Sequence, residues 1–151
     1  MAPLVCVHPV SGRAVDYQLL ADALDWPGPV LGLNAPEPGS DAREPGYRLT
    51  ELASRYCDEL DLSTPPLLLG WSIGGGLIRA FFHHVQRPVP VVLHLFESAD
   101  AHPSHPRPPT LGWDDLAPSI ERHEVAGTHF TLLAPHRIEA LARTISRHLP
   151  R

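Results

Sequence analysis

Lysine is absent from this 151-residue sequence: all 12 cationic side chains are arginine, against 17 Asp and Glu, giving a formal net charge of −5. A chain without a basic excess carries no electrostatic footprint for nucleic acid, and none is expected as a partner. Cysteine is scarce. Cys6 falls in an apolar strand pattern and Cys57 in a helical one, so no disulfide framework is implied and both read as buried structural thiols. No apolar run approaches the length that spans a bilayer, and the opening MAPLVCVHPV has no basic stretch ahead of a long apolar one. These features predict a cytoplasmic protein, or a domain of one, with no membrane contact.

What is present is 43% hydrophobic and 19% charged, a balance that suits a soluble globular chain. The length predicts one domain over residues 1–151 with one sizeable core. Short apolar runs predict strands over residues 3–8, 30–33, 67–70, 89–96 and 122–125. Between them, apolar residues recur at helical spacing from Tyr17, from Leu52 behind a Thr50 cap, from Leu77 to about residue 86, and from Ile138 to Leu149. Residues 34–47 and the proline-rich 101–109 read as loops. Strands alternating with helices predict a parallel α/β sheet.

The run LLLGWSIGGG, Leu67 to Gly76, carries the chemistry. A strand leads into Gly-x-Ser-x-Gly and a helix follows, the context in which that pattern forms a strained turn that lifts a serine above the sheet edge. Gly70 and Gly74 allow neighbouring backbones to pass closely, and Ser72 is the expected nucleophile. The N–H of Ile73 and that of Val10, in the loop after the first strand, are the expected oxyanion donors.

A serine nucleophile needs a base, and the base needs an orienting acid. Of ten histidines, His129 lies in VAGTHF between the last strand and the last helix, on the edge where the serine turn opens. Phe130 and Leu132 are expected to anchor its loop in the core. His94 is mid-strand, His83 and His84 lie far along the serine helix, and His148 is near the end of the closing helix. Asp100, in the loop after the fourth strand, is the favoured acid; Glu97, at the strand terminus, is the alternative. Asp114 and Asp115 read as helix caps. Asp100, His102 and His105 lie close in sequence, but intervening prolines resist wrapping around an ion, and no metal site is assigned.

Together these motifs resemble the thioesterase domains of nonribosomal peptide and polyketide synthases, members of the α/β-hydrolase superfamily. VCVHPVSGRAVDYQLLADAL is similar to the family's opening strand, oxyanion loop and helix, and PPLLLGWSIGGGLIRAF to its nucleophile turn. LGWDDL with HEVAGTHFTLL is similar to its C-terminal part, including Trp113. The likeness covers nearly the whole chain but departs from it in two places. Ser11 stands where glycine is common. Only residues 76–88 separate the serine turn from a strand resembling a later one, so a strand and the lid are expected to be missing.

The resemblance therefore implies a compact, lidless three-layer sandwich of about five mostly parallel strands in the order 2-1-3-4-5. It implies a serine thioesterase of antibiotic biosynthesis, with no cofactor of its own. The substrate would be an acyl, polyketide or peptidyl chain on the phosphopantetheine arm of a carrier protein. Many synthase-embedded members place the acid after the strand missing here, whereas stand-alone editing members resemble the Asp100 arrangement. Loss of the lid favours hydrolysis over cyclisation, because water reaches the acyl-enzyme. Two other readings follow from the same loss: a degenerate domain that binds a carrier protein without catalysis, or a lidless hydrolase recruited for cyclisation or acyl transfer. A synthase partner or a second copy is the expected cover for any apolar patch the missing lid exposes.

Overall fold

At the centre of the fold is a strand of four apolar residues, β1 (Leu4–Val7), buried along its whole length. The computed structural model describes residues 1–36, 49–60, 63, 66–84, 93–99 and 113–150. β1 pairs in parallel with β2 (Val30–Leu33) on one side and β3 (Leu67–Gly70) on the other. The order is therefore 2-1-3, with Val7 level with Leu33 and Gly70 at the C-terminal edge. Two further strands, β4 (Leu93–Ser98) and β5 (Ile120–Val125), form a parallel pair in register from Leu93↔Ile120 to Ser98↔Val125.

Helices cover both faces. A 3-10 turn (Ala14–Tyr17) leads into α1 (Gln18–Ala23), and α2 (Leu49–Glu59), α3 (Ile73–His84) and α4 (Pro135–Ser146) follow. Alternate residues of a strand point to opposite faces. Leu4 and Cys6 accordingly join Leu20 of α1 and Ile138, Leu141 and Ile145 of α4, together with Val125 and Leu132. Val7 joins Leu52 and Tyr56 of α2 and Leu77 and Ile78 of α3 on the other face. The result is the three-layer arrangement expected from sequence. Burial pushes the Cys6 thiol up to about 11, so it packs as a small apolar group, while Cys57 is only partly buried.

Three expectations need correction. The order 2-1-3-4-5 holds within 2-1-3 and within 4-5, but among the described residues β3 and β4 share no ladder, so the five strands form two sheets. The break falls where the sequence resembles its family with a strand removed: α3 leaves β3 directly, and β4 takes its hydrogen bonds from β5. Thr50 lies inside the first turn of α2, which opens at Leu49, and so does not cap it. Asp115 faces α3, 3.4 Å from Arg79 and 3.4 Å from His83, rather than capping a helix. Residues 85–92, part of the expected fourth strand, lie outside the described residues.

Leu52 is 1% exposed, whereas Leu31 on the outer strand β2 is 49% exposed. Leu52→Ala is therefore expected to cost about 3 kcal/mol and Leu31→Thr under about 0.5 kcal/mol, read as urea-midpoint shifts.

Candidate active site

Only Trp71 and Ser72 separate β3 from α3. Ser72 has φ 60°, the single non-glycine residue with positive φ among those described. That conformation crowds Cβ against the following carbonyl and costs on the order of 1–2 kcal/mol, so it persists only where its surroundings enforce it. Hydrogen bonds from the Gly74 N–H to the Trp71 carbonyl (3.0 Å) and from the Gly75 N–H to the Ser72 carbonyl (3.1 Å) close the turn. Ser72 is exposed at its apex.

The two glycines of the motif have steric reasons to be glycine. A Cβ on Gly74 would lie 2.5 Å from the Val7 carbonyl oxygen and 3.0 Å from that of His8. A Cβ on Gly70 would lie 2.5 Å from the Gly74 carbonyl carbon. The start of α3 is thereby pressed against the end of β1. Tyr17, 2% exposed, ties the same elements: its hydroxyl donates to the Val7 carbonyl (2.8 Å) and accepts from the Trp71 N–H (2.8 Å). Burial holds this phenol protonated, well above the usual tyrosine range.

The loop after β1 is held from beneath. His8 is fully buried; its Nδ1 donates to the Pro9 carbonyl (2.8 Å) and its Nε2 accepts from the Tyr56 hydroxyl (2.6 Å). The Gly12 N–H also donates to the Pro9 carbonyl (3.0 Å), closing a turn with Val10 and Ser11 at its tip. That closing bond does not use the N–H of Val10. Gly12 takes φ 77°, which glycine adopts without strain. Ser11, the departure from the family's glycine, donates to Asp16 (2.5 Å) and accepts from the Arg13 N–H (3.2 Å), which fixes the entry to the 3-10 turn. Ile73 opens α3, where first-turn N–H groups have no acceptor within the helix.

His129 lies between β5 and α4, in a loop docked on the serine turn. The Trp71 indole Nε1 donates to the His129 carbonyl (3.0 Å), and the two rings lie 5.3 Å apart. Gly127 (φ 110°) and Thr131 shape this loop: Thr131 Oγ1 accepts from the Thr128 N–H (2.8 Å), and a Cβ on Gly127 would lie 2.8 Å from that oxygen. Leu132 is buried as expected, but Phe130 is 86% exposed, so Leu132 anchors the loop and Phe130 projects outward.

Of the two acids, Asp100 lies outside the described residues. Glu97 Oε2 accepts from Nε (3.0 Å) and Nη2 (2.6 Å) of Arg122 on the adjacent strand. The Ala99 N–H donates to the Val125 carbonyl (2.8 Å), which pins the chain entering residue 100 beside the start of the His129 loop. The structure thus brings Ser72, Trp71 and the His129 loop together at the edge that also carries Val10. Reading the sequence alone misses Tyr17, His8 and Tyr56, whose polar tips act through tertiary hydrogen bonds that no local pattern marks. Among the described residues, the side chains grouped to ligate a metal are His94, Glu121, His123 and His148.

Gly74→Ala is expected to destabilise the fold by about 3 kcal/mol, because backbone stands where its methyl would go. Gly75→Ala, whose methyl would meet nothing nearer than 3.8 Å, should stabilise by about 0.5–1 kcal/mol through helix propensity. Tyr17→Phe should cost about 2 kcal/mol by leaving the Val7 carbonyl and Trp71 N–H unpaired. Chemical denaturation of the three variants checks all of these.

A family model of the thioesterase domain matches residues 2–111, a span that ends before His129. The dimodular nonribosomal peptide synthase of Bacillus subtilis (strain 168) is 32% identical over 106 residues, covering 68% of this chain and 4% of that protein. The chain thus spans a small part of the curated relative that it matches. Among solved structures, holo-AB3403, a four-domain nonribosomal peptide synthetase bound to AMP and glycine, has TM-score 0.74 at 15% identity, over 99% of this chain and 19% of that one. The Vlm2 thioesterase domain bound with a dodecadepsipeptide has TM-score 0.71 at 13% identity, over 99% and 97%. The NocB thioesterase domain from the nocardicin cluster has TM-score 0.67 at 22% identity, over 97% and 92%. These structural likenesses share the α/β fold, and the match over residues 2–111 means that the chain belongs to the thioesterase domain family.

Proposed function

We propose that this chain is one thioesterase unit, residues 1–151, that hydrolyses an acyl, polyketide or peptidyl thioester held on the phosphopantetheine arm of a carrier protein in the cytoplasm. The observation that carries the reading is the positive φ of Ser72 at the exposed apex of the β3–α3 turn. A strained serine in a turn closed by two backbone hydrogen bonds is stability given up for chemistry.

His129 removes the Ser72 proton as Oγ attacks the thioester carbonyl. The N–H groups of Val10 and Ile73 bind the oxyanion, helped by the positive end of α3. Collapse of the tetrahedral intermediate breaks the C–S bond, and the proton on His129 passes to the leaving thiolate. Water, deprotonated by His129, then attacks the acyl-Ser72 ester; the C–O bond to Ser72 breaks, the acid leaves, and the proton on His129 returns to Ser72 Oγ. Asp100 orients His129; the pinned Ala99 supports this, and Arg122 already engages Glu97. Val10, 49% exposed, and Phe130, 86% exposed, offer apolar surface on the loops of this edge for an acyl chain.

The break between β3 and β4 favours a second reading, a domain that binds a carrier without turnover. Turnover of acyl-N-acetylcysteamine thioesters and labelling by a fluorophosphonate decide between them. Under the proposal, Ser72→Ala and His129→Ala each lower kcat/KM by at least about a thousandfold, and the pair loses no more than either alone. Asp100→Asn lowers it about a thousandfold or more, while Glu97→Gln stays within about threefold. Normal turnover by Ser72→Ala overturns the nucleophile, and failure of the parent chain to react with the probe supports the non-catalytic reading.

A further inference from the structure

We infer that His94, Glu121, His123 and His148 form a four-coordinate structural site for a borderline divalent cation, zinc above all. The four groups come from β4, β5 and the segment after α4, and a ligand atom from each lies within 4.8 Å of the others. His94 Nδ1 is 2.9 Å from His123 Nε2 and 3.5 Å from Glu121 Oε2, and His123 Nε2 is 3.9 Å from that same oxygen. Tetrahedral zinc, with bonds of about 2.0–2.2 Å, sets its ligands about 3.4 Å apart, which falls within this spread.

The backbone assembles most of the set. His94 is the register partner of Glu121, and Phe96 of His123. Residues two apart share a face, so parallel pairing puts His94, Glu121 and His123 on one face of the β4–β5 pair. His148 meets them from the other side: the His148 N–H bonds back to the Ile145 carbonyl (2.9 Å), and its ring centroid lies 4.0 Å from that of His123 and 4.8 Å from that of His94. Burial, reinforced by the neighbouring His148, holds the imidazoles of His94 and His123 below the usual histidine range.

The imidazoles of His94 and His123 meet nitrogen to nitrogen across 2.9 Å, and the half-exposed Glu121 carboxylate stands beside both. One dication would satisfy all four acceptors at once. Three imidazoles and one carboxylate favour zinc over magnesium or calcium, which take oxygen ligands. Four protein ligands close the coordination sphere, the pattern of a structural rather than a catalytic zinc site. The placement agrees: His94 and Glu121 are four residues short of Ser98 and Val125, about 13 Å from the edge that carries His129. A bound ion would staple the segment after α4 to the β4–β5 pair.

The test uses the full chain stripped of metal, titrated with zinc chloride or magnesium chloride against a chromophoric chelator. One equivalent of zinc and no magnesium should bind, with a rise in melting temperature at stoichiometric zinc. Cobalt should develop the visible absorption of a tetrahedral site. His148→Gln, beyond the last helix and tolerable to the fold, should weaken zinc binding at least about tenfold, and His94→Gln with His123→Gln should abolish it. His83→Gln, on α3 with its ring 3.4 Å from Asp115, should change nothing. Absence of stoichiometric zinc binding, or zinc binding unchanged by His148→Gln, overturns the site and leaves a stacked histidine cluster over Phe96.

Discussion

The first turn of α3 can approach β1 only because Gly74 has no side chain, and the rest of the catalytic edge depends on that approach. With backbone 2.5 Å from where a Cβ would stand, the helix start is fixed against the Val7 carbonyl. The Tyr17 hydroxyl bridges the same gap and takes up the polar groups that close packing would otherwise strand. Between them Ser72 has one available conformation, and that conformation is the strained one. The loop that carries Val10 is tied to the same strand end through His8, so the proposed nucleophile and oxyanion donors are set by one piece of backbone.

The core supports this arrangement unevenly. β1 is buried on both faces and its two faces sort cleanly between two helix pairs. Among the described residues the β4–β5 pair meets the first sheet through side chains, with Val125 on the face of α1 and α4, and Leu93, Leu95 and Ile120 toward α2 and α3. Hydrophobic contact supplies most of the free energy of folding but is non-directional, whereas a strand ladder also fixes register. The second half is held in place without being indexed to the first.

Much of this was legible in the sequence because it was local. Apolar runs marked the strands, helical spacing marked α1 to α4, and Gly-x-Ser-x-Gly between a strand and a helix announced the strained serine. Of the ten histidines, the position of His129 after the last strand placed its loop at the edge of the serine turn, where the Trp71 indole meets it. What escaped was long-range. Nothing near Tyr17 or His8 in the chain indicates that their partners are Trp71 and Tyr56, and His94, Glu121, His123 and His148 converge only through parallel pairing and the return of α4. Phe130 was misread because apolar character alone predicts burial, and its neighbour Leu132 took the available space. The break between β3 and β4 depends on which edges find partners, a property of the assembled sheet rather than of any segment.

That break has a consequence for how the site works. Ser72, Ile73 and Val10 ride on the first sheet, while His129 and the chain leading to Asp100 ride on the second. Among the described residues no shared ladder spans them, so the proposed nucleophile and base are held near each other by packing and by the indole hydrogen bond from Trp71 to the His129 carbonyl. The candidate site is thus a joint between two sets of strands, and Trp71 is its clasp. Loosening that joint would part Ser72 from the His129 loop while leaving the ladder within each set in place.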